Sequence, residues 1–150
     1  MKPTDYASTF MQKALSLLDH SVGEEVPVSC IVVLNQKIIG EGINQTILRN
    51  DCTAHAEIIA LRQAFLINHD WRLEKADIFV TMEPCMMCMG ALKLARIRSL
   101  YYGISNSVSG VFTRYPALSQ QDFPEINIQG GILEEEIRAK IQQFFQNQRK

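Results

Sequence analysis

Two short segments rich in metal-binding side chains most strongly restrict how this chain can fold. They are residues 53–57 (TAHAE) and 83–88 (EPCMMC). Each leads from a predicted strand or loop into the first turn of a predicted helix. In α/β sheets, ligands gather at the carboxyl ends of strands, beside such helix starts. We therefore expect both segments to contribute to one site at the edge of a sheet.

Apolar residues recur at helical spacing in four parts of the chain. The first three predicted helices cover 6–18, 53–68 and 84–96. Thr53 is the expected N-cap of the second, and Pro84 is expected in the first turn of the third. A last helix places its apolar side chains on one stripe. That stripe consists of Leu133, Ile137, Ile141, Phe144 and Phe145.

Runs of β-branched and apolar residues predict five strands. They cover 27–34, 37–43, 77–82 and 99–104, with a short strand near 125–128 inside an otherwise irregular segment. The first two strands are separated by two polar residues, which favours a β-hairpin and makes the sheet mixed. Strands that alternate with helices indicate an α/β fold, with a five-stranded mixed sheet between helices on both faces.

Length and composition are those of an ordinary globular domain. The chain has 150 residues, a formal net charge of -1, 47% hydrophobic residues and 21% charged residues. We therefore expect a single domain over 1–150. Its apolar runs are far shorter than the ~20 residues that a membrane span needs, and the N-terminal segment does not resemble a signal peptide. Four cysteines without an export signal favour a cytoplasmic protein whose thiols bind metal or do chemistry.

The cysteines of the second segment form half of a zinc site. Cys85 and Cys88 are three residues apart, so both sulfurs can lie on one side of the first helical turn. His55 would add a nitrogen ligand and leave the fourth tetrahedral position open for water. Glu57 is two residues from His55 and is a poor candidate for a ligand, but it could move protons to and from that water.

Less specific interpretations stay open for the same residues. A CxxC pair alone is also typical of a redox motif or of a structural zinc site with four protein ligands. Cys52, three residues before His55, could supply the fourth ligand and close the site. Cys30, in an apolar strand, is expected to be a small buried residue. The methionines near the second segment are expected in the core or in a dimer contact.

The HAE and PCxxC motifs resemble those of the zinc-dependent cytidine-deaminase-like superfamily, and more closely those of the bacterial tRNA-specific adenosine deaminases. The resemblance extends over about residues 24–145. It includes the segments EEVPV, GEGIN, NDCTAHAEIIALRQ, TMEPCMMCMGAL, YYG and GILEEE, in the order and at the spacing of the family. It implies a cytidine deaminase-like fold and one CMP/dCMP-type zinc deaminase domain.

The resemblance also implies the chemistry and its residues. His55, Cys85 and Cys88 would hold one Zn²⁺ per subunit. Glu57 would be the general acid and base while a zinc-activated water converts adenosine to inosine at the tRNA wobble position. Implied partners are the tRNA anticodon loop and a second copy of the chain in a homodimer, with no membrane. The implied substrate contacts are Asn44, Val26, Pro27 and the backbone around Ala56.

The chain departs from the family where the nucleic acid is recognised. Asn106 stands at a usually acidic position and Val108 at a usually basic one. The basic C-terminal tail that the family usually has is reduced here to Arg149 and Lys150, which follow three neutral residues. Two further functions therefore stay open. One is a deaminase of a free base or nucleoside, of guanine, cytosine or adenosine type. The other is a non-catalytic zinc-binding subunit, although retention of Glu57 speaks against it.

Overall fold

The structure is a computed structural model that describes residues 3–21 and 23–148. Arg149 and Lys150, the predicted basic tail, lie outside the described residues. The described part contains six α-helices and five strands. The helices are α1 (Pro3–Ser16), α2 (Thr46–Arg49), α3 (Ala56–Asn68), α4 (Met86–Leu94), α5 (Val111–Arg114) and α6 (Glu134–Gln148). The strands are β1 (Ser29–Leu34), β2 (Lys37–Ile43), β3 (Asp77–Met82), β4 (Ser99–Ile104) and β5 (Asn127–Gln129).

The five strands form one mixed sheet in the order β2-β1-β3-β4-β5. β1 is antiparallel to both of its neighbours, whereas β3, β4 and β5 are parallel. The predicted hairpin joins β1 to β2 through Asn35 and Gln36, which have φ angles of 51° and 62°. Two successive positive φ angles are typical of the tight turns that suit the twist of paired strands. The predicted hairpin and mixed sheet are confirmed.

Helices cover both faces of the sheet, because successive strand residues point to opposite sides. On one face, Val32 and Val80 pack in a buried cluster with residues of α3 and α4. On the other face, Ile31 and Phe79 pack with residues of α1 and α6. The three-layer α/β/α architecture is therefore confirmed.

The starts of α3 and α4 differ from the prediction. Thr53 is not the N-cap of α3, because its backbone N–H and its hydroxyl both donate to Oδ1 of Asp51 (2.8 and 2.6 Å). That local turn competes with capping, and His55 occupies the N-cap position instead. Pro84 likewise precedes α4, whose N-cap is Cys85. Cys85 stays extended because it forms an antiparallel bridge with Gly110.

The C-terminal third contains more regular structure than predicted. The segment expected to be mostly irregular includes α5 and a short 3₁₀ turn at Gln120–Asp122 before β5. The predicted apolar stripe of α6 holds for Ile137 and Ile141, which are buried. It does not hold for Phe145, which is 43% exposed. Of the helices in the described part of the chain, none has the length and hydropathy that crossing a membrane requires.

Close packing of β2 against α3 fixes the position of the helix start that carries His55. A Cβ atom at Gly42 would overlap the carbonyl oxygen of Ala56 and lie 2.9 Å from the backbone nitrogen of Ala60. We expect Gly42→Ala to lower the free energy of unfolding by ~1–3 kcal/mol, as overpacking does. Urea denaturation measures this change.

The matched control for this substitution is Gly90→Ala. Gly90 lies inside α4, and a Cβ atom there would have no neighbour within 4 Å. Alanine should stabilise this exposed helical position by ~0.5–1 kcal/mol. A Gly42→Ala protein as stable as the Gly90→Ala protein would contradict the close approach of β2 and α3.

Candidate active site

Three potential metal ligands converge at the N-termini of α3 and α4. Nδ1 of His55 lies 3.5 Å from Sγ of Cys85 and 3.5 Å from Sγ of Cys88. All three ligand atoms lie within 4.8 Å of one another. Cys88 is buried, whereas His55 and Cys85 are partly accessible. The two motifs that are 30 residues apart in the chain thus meet at one point.

The spacing of these atoms fits a zinc ion. In a tetrahedral site with Zn–S near 2.3 Å and Zn–N near 2.0–2.1 Å, nitrogen and sulfur ligands are roughly 3.5 Å apart. One nitrogen and two sulfurs also suit zinc in their chemistry. Cys52 is exposed and is not part of the cluster. Within the described residues, the cluster therefore offers three protein ligands, which leaves a fourth position for water.

Glu57 is the buried carboxyl group beside this cluster. It lies in the first turn of α3 and is 4% exposed. The pKa of the Glu57 carboxyl is raised to about 7, mainly by burial and in part by the nearby Cys85 sulfur, while a bond from its own backbone N–H and the His55 ring act in the opposite direction. A carboxyl group with a pKa near neutrality can both accept and donate a proton, which is what a general acid and base requires.

The two thiols of the cluster affect each other. The hydrogen bond from the Cys88 thiol lowers the pKa of Cys85 to about 5, and the same bond together with burial raises the pKa of Cys88. Cys85 also lies at the N-terminus of α4, where the helix dipole favours a thiolate. One of the two sulfurs is thus already suited to bind a cation.

A cavity of about 260 Å³ opens beside the cluster. It is smaller than the ~300–1,000 Å³ of pockets for drug-sized ligands, which suits a compact ring system. Its wall combines apolar and polar side chains from several elements. They include Glu25, Val26, Val28, Asn44, Thr46, Ile47, Ala56, Glu83, Asn106 and Ser109, next to His55, Glu57 and Cys85.

Asn44 holds its amide group in a fixed orientation at this wall. Its Nδ2 donates to the carbonyl oxygen of Val26 (3.2 Å), and its Oδ1 accepts from the Thr46 hydroxyl (2.8 Å). One N–H and one oxygen lone pair of the amide stay available to a ligand. Pro27, by contrast, does not line this cavity. It is buried and borders a separate cleft next to Lys140 and Phe144 of α6, because adjacent residues of an extended segment point to opposite sides.

The sequence analysis assigned no role to two acidic residues of the cavity wall, although both lie in segments that it named. Glu25 is 6% exposed, and its Oε1 accepts from the backbone N–H of Leu48 (2.8 Å). Its Oε2 is the one buried side-chain oxygen or nitrogen without a hydrogen-bond partner among the residues that the structure describes. Glu83 is 2% exposed and binds the segment that follows β4. Both glutamates make contacts with segments that are more than 20 residues away in the chain, and no local sequence pattern indicates such contacts.

The positions that depart from the family lie in different surroundings. Asn106 lines the cavity, and its Oδ1 accepts from the backbone N–H groups of Val108 and Ser109 (3.1 Å each). The Val108 side chain is 83% exposed and points away from the protein core. The change at Asn106 therefore affects the cavity wall, whereas the change at Val108 affects the outer surface.

Comparison with known proteins agrees with this geometry. Residues 4–104 match the family described as the cytidine and deoxycytidylate deaminase zinc-binding region. A tRNA-specific adenosine deaminase of Streptococcus pyogenes serotype M1 is 36% identical over 143 residues, which cover 93% of this chain and 84% of the relative. Both motifs of the candidate site fall within these matches.

Solved structures with related sequences have the same fold. One, from biochemical and structural studies of A-to-I editing by tRNA:A34 deaminases, is 36% identical with a TM-score of 0.77 over 88% of this chain and 98% of that chain. A guanine deaminase from Bacillus subtilis is 32% identical, with a TM-score of 0.63 over 73% of this chain and 68% of that chain. The chain thus belongs to the cytidine and deoxycytidylate deaminase zinc-binding family and, within it, to the tRNA-specific adenosine deaminases.

Proposed function

We propose that this protein is a zinc-dependent hydrolytic deaminase that converts adenosine to inosine at the wobble position of tRNA. The observation that carries the proposal is the cluster of one imidazole nitrogen 3.5 Å from each of two cysteine sulfurs, beside the buried Glu57. The 36% identity to a tRNA-specific adenosine deaminase supports the choice of substrate.

The proposed roles follow from where the side chains lie. His55, Cys85 and Cys88 would hold one Zn²⁺, and the bound ion would supply a water whose pKa is lowered to about 7. Glu57 takes a first proton from the attacking water and delivers it to the ring nitrogen, and then takes the second proton of the same oxygen and delivers it to the departing amine. The water oxygen replaces the exocyclic nitrogen on the ring carbon, and that nitrogen leaves as ammonia.

The cavity wall positions the base for this reaction. The free amide N–H of Asn44 donates to a polar atom of the substrate, since the other N–H of this amide already donates to Val26. Val26 provides an apolar contact to the ring, and the backbone around Ala56 lines the pocket beside it. Pro27 has no part in the proposal, because it borders the other cleft.

RNA is favoured over a free base by the surface around the cavity. Val26, Ile47 and Leu48 are 49%, 56% and 66% exposed and form an apolar surface against which neighbouring bases can pack. Two helices next to the cavity wall carry a basic side chain. They are α2, which ends at Arg49, and α5, which ends at Arg114. The alternative, deamination of a free base or nucleoside, is supported by the 32% identity to a guanine deaminase.

We further propose that the protein forms a homodimer in the cytoplasm and that residues 1–150 form a single deaminase domain. The exposed large apolar side chains of α3 and α4 support self-association, since such faces are typical of interfaces. They are Leu66, Ile67, Met86, Met87 and Leu94.

A substrate panel tests the proposed reaction. Zinc-loaded protein should release ammonia and form inosine from an anticodon stem-loop with adenosine at the wobble position. It should do so much faster than it acts on adenosine, cytosine or guanine at equal concentration. Deamination of a free base or nucleoside, with the stem-loop unchanged at low salt, would instead establish the alternative.

The salt dependence of RNA binding gives a further prediction. Each phosphate contact contributes about -0.7 to -0.9 to the slope of log affinity against log salt. Arg49→Gln should therefore weaken stem-loop binding and reduce the magnitude of that slope by ~1 if it contacts one phosphate. The control is Arg72→Gln, because Arg72 pairs with Asp70 beyond the C-terminal end of α3, opposite to the site. Equal slopes for the Arg49→Gln and wild-type proteins would contradict a phosphate contact on α2.

A further inference from the structure

Glu83 is a buried carboxylate whose hydrogen bonds all go to one segment of the chain. Its Oε1 accepts from the backbone N–H of Asn106 (3.1 Å) and from the hydroxyl of Thr113 (2.6 Å). Its Oε2 accepts from the backbone N–H groups of Phe112 (2.8 Å) and Thr113 (3.0 Å). At 2% exposure, this carboxylate depends on these donors in place of water.

The same segment is attached to the two residues that follow Glu83. The carbonyl oxygen of Pro84 accepts from the N–H of Val111 (2.9 Å), and Cys85 forms an antiparallel bridge with Gly110. Gly110 leaves room for the carboxylate, because a Cβ atom there would overlap the carboxyl group of Glu83. Residues 106–113 are therefore fixed to the end of β3 directly before the candidate zinc ligands.

This segment forms one wall of the cavity through Asn106 and Ser109. The turn that carries them is closed by its own bonds, since Asn106 Oδ1 accepts from the N–H groups of Val108 and Ser109. Asn106 Nδ2 donates to Ser109 Oγ (3.0 Å), which leaves the Ser109 hydroxyl hydrogen free to donate into the cavity. These bonds shape the turn, whereas the bonds to Glu83, together with the backbone contacts to Pro84 and Cys85, set where the turn lies relative to the zinc ligands.

We propose that Glu83 is a positioning residue, which holds the wall formed by residues 106–113 at a fixed place beside the metal site and so determines substrate binding. The proposal rests on the proposed deaminase function. It differs from a purely structural role in one respect: loss of the carboxylate should impair substrate binding much more than the chemical step or zinc binding.

The test compares Glu83→Gln, Thr113→Val and wild type. Glutamine keeps the side-chain volume, but its NH₂ group must face either Asn106 N–H or the N–H groups of Phe112 and Thr113, so that at least one bond becomes a contact between two donors. Thr113→Val removes only the hydroxyl bond, outside the cavity. Asp122→Asn is the matched control, because Asp122 also accepts a backbone N–H bond, from Ser119, but does not line the cavity.

Three quantities are measured for each protein: zinc content, amide hydrogen exchange and steady-state kinetics on the anticodon stem-loop. For Glu83→Gln we expect wild-type zinc content and faster exchange confined to residues 105–114. We also expect KM raised by roughly tenfold or more, the loss typical of a bond to a charged group, with kcat within a few-fold. Thr113→Val should change exchange and KM in the same direction by less, and Asp122→Asn should leave KM unchanged.

Unchanged exchange in residues 105–114, or an unchanged KM despite faster exchange there, would overturn the proposal. Loss of zinc in Glu83→Gln would also overturn it, since Glu83 would then support the metal ligands and not the cavity wall. If Glu83→Gln does not fold, Thr113→Val decides between these outcomes. A wild-type protein without deaminase activity would refute the proposed function, while exchange and stem-loop affinity would still decide the role of Glu83.

Discussion

The Glu57→Gln protein is expected to fold and to keep its zinc. Its deamination rate should fall by ~100- to 10,000-fold, the range typical of general acid–base catalysis. The amide preserves the volume of the side chain and one hydrogen-bonding oxygen, but it cannot carry a proton. The proposed reaction uses Glu57 in more than one proton transfer, so the loss should lie toward the upper end of this range. Single-turnover formation of inosine measures it.

The geometry explains why no other group should replace Glu57. The carboxyl is buried at 4% exposure, and of the side chains that line the cavity His55 and Cys85 are assigned to zinc. Two other acidic side chains line the cavity. Glu83 is fully engaged by four donors, and Glu25 is held by the backbone N–H of Leu48 through one of its two carboxylate oxygens. A solvent-facing carboxylate on β2, Glu41, provides the control, and Glu41→Gln should keep wild-type activity. Glu57→Gln activity within a few-fold of wild type would exclude Glu57 from the mechanism.

The sequence predicted the parts of the fold and site that local patterns determine. The CxxC spacing places Cys85 and Cys88 on one helical turn, whichever tertiary contacts follow. The alternation of strands and helices specifies a sheet between two helical layers, and strand residues such as Val32 and Phe79 pack against different layers. The polar pair of Asn35 and Gln36 between two apolar runs specifies the hairpin.

The parts that the sequence did not predict depend on contacts between distant segments. The local sequence gives Glu83 no particular role, because its hydrogen-bond partners lie 23 to 30 positions further along the chain, in the segment after β4. Thr53 has the right residue type for an N-cap, but its hydroxyl donates to the Asp51 carboxylate instead. Pro27 follows Val26 in the chain, yet the two side chains face different cavities. A pattern of residue types carries no information about which of two faces a particular cavity occupies.

Cys88→Ser is expected to remove most of the zinc from the protein. A serine hydroxyl stays protonated at neutral pH and is a much poorer ligand than a thiolate, which is the form of cysteine that binds metals. Loss of a side chain that merely orients a ligand weakens metal binding by ~10–100-fold, so loss of a ligand should weaken it by more. Elemental analysis after dialysis against a weak chelator measures the zinc content, and deamination should be lost with the metal.

The matched control for this experiment is Cys52→Ala. Cys52 is exposed and is not part of the cluster formed by His55, Cys85 and Cys88. Its removal should therefore leave zinc content and activity unchanged. Loss of zinc in Cys52→Ala would mean that four protein ligands surround the metal. A closed site of that kind has no position for water, and a hydrolytic reaction could then not take place there. Full zinc content in Cys88→Ser would instead mean that the ligand set is wrong, even though the distances between its atoms suit a tetrahedral ion.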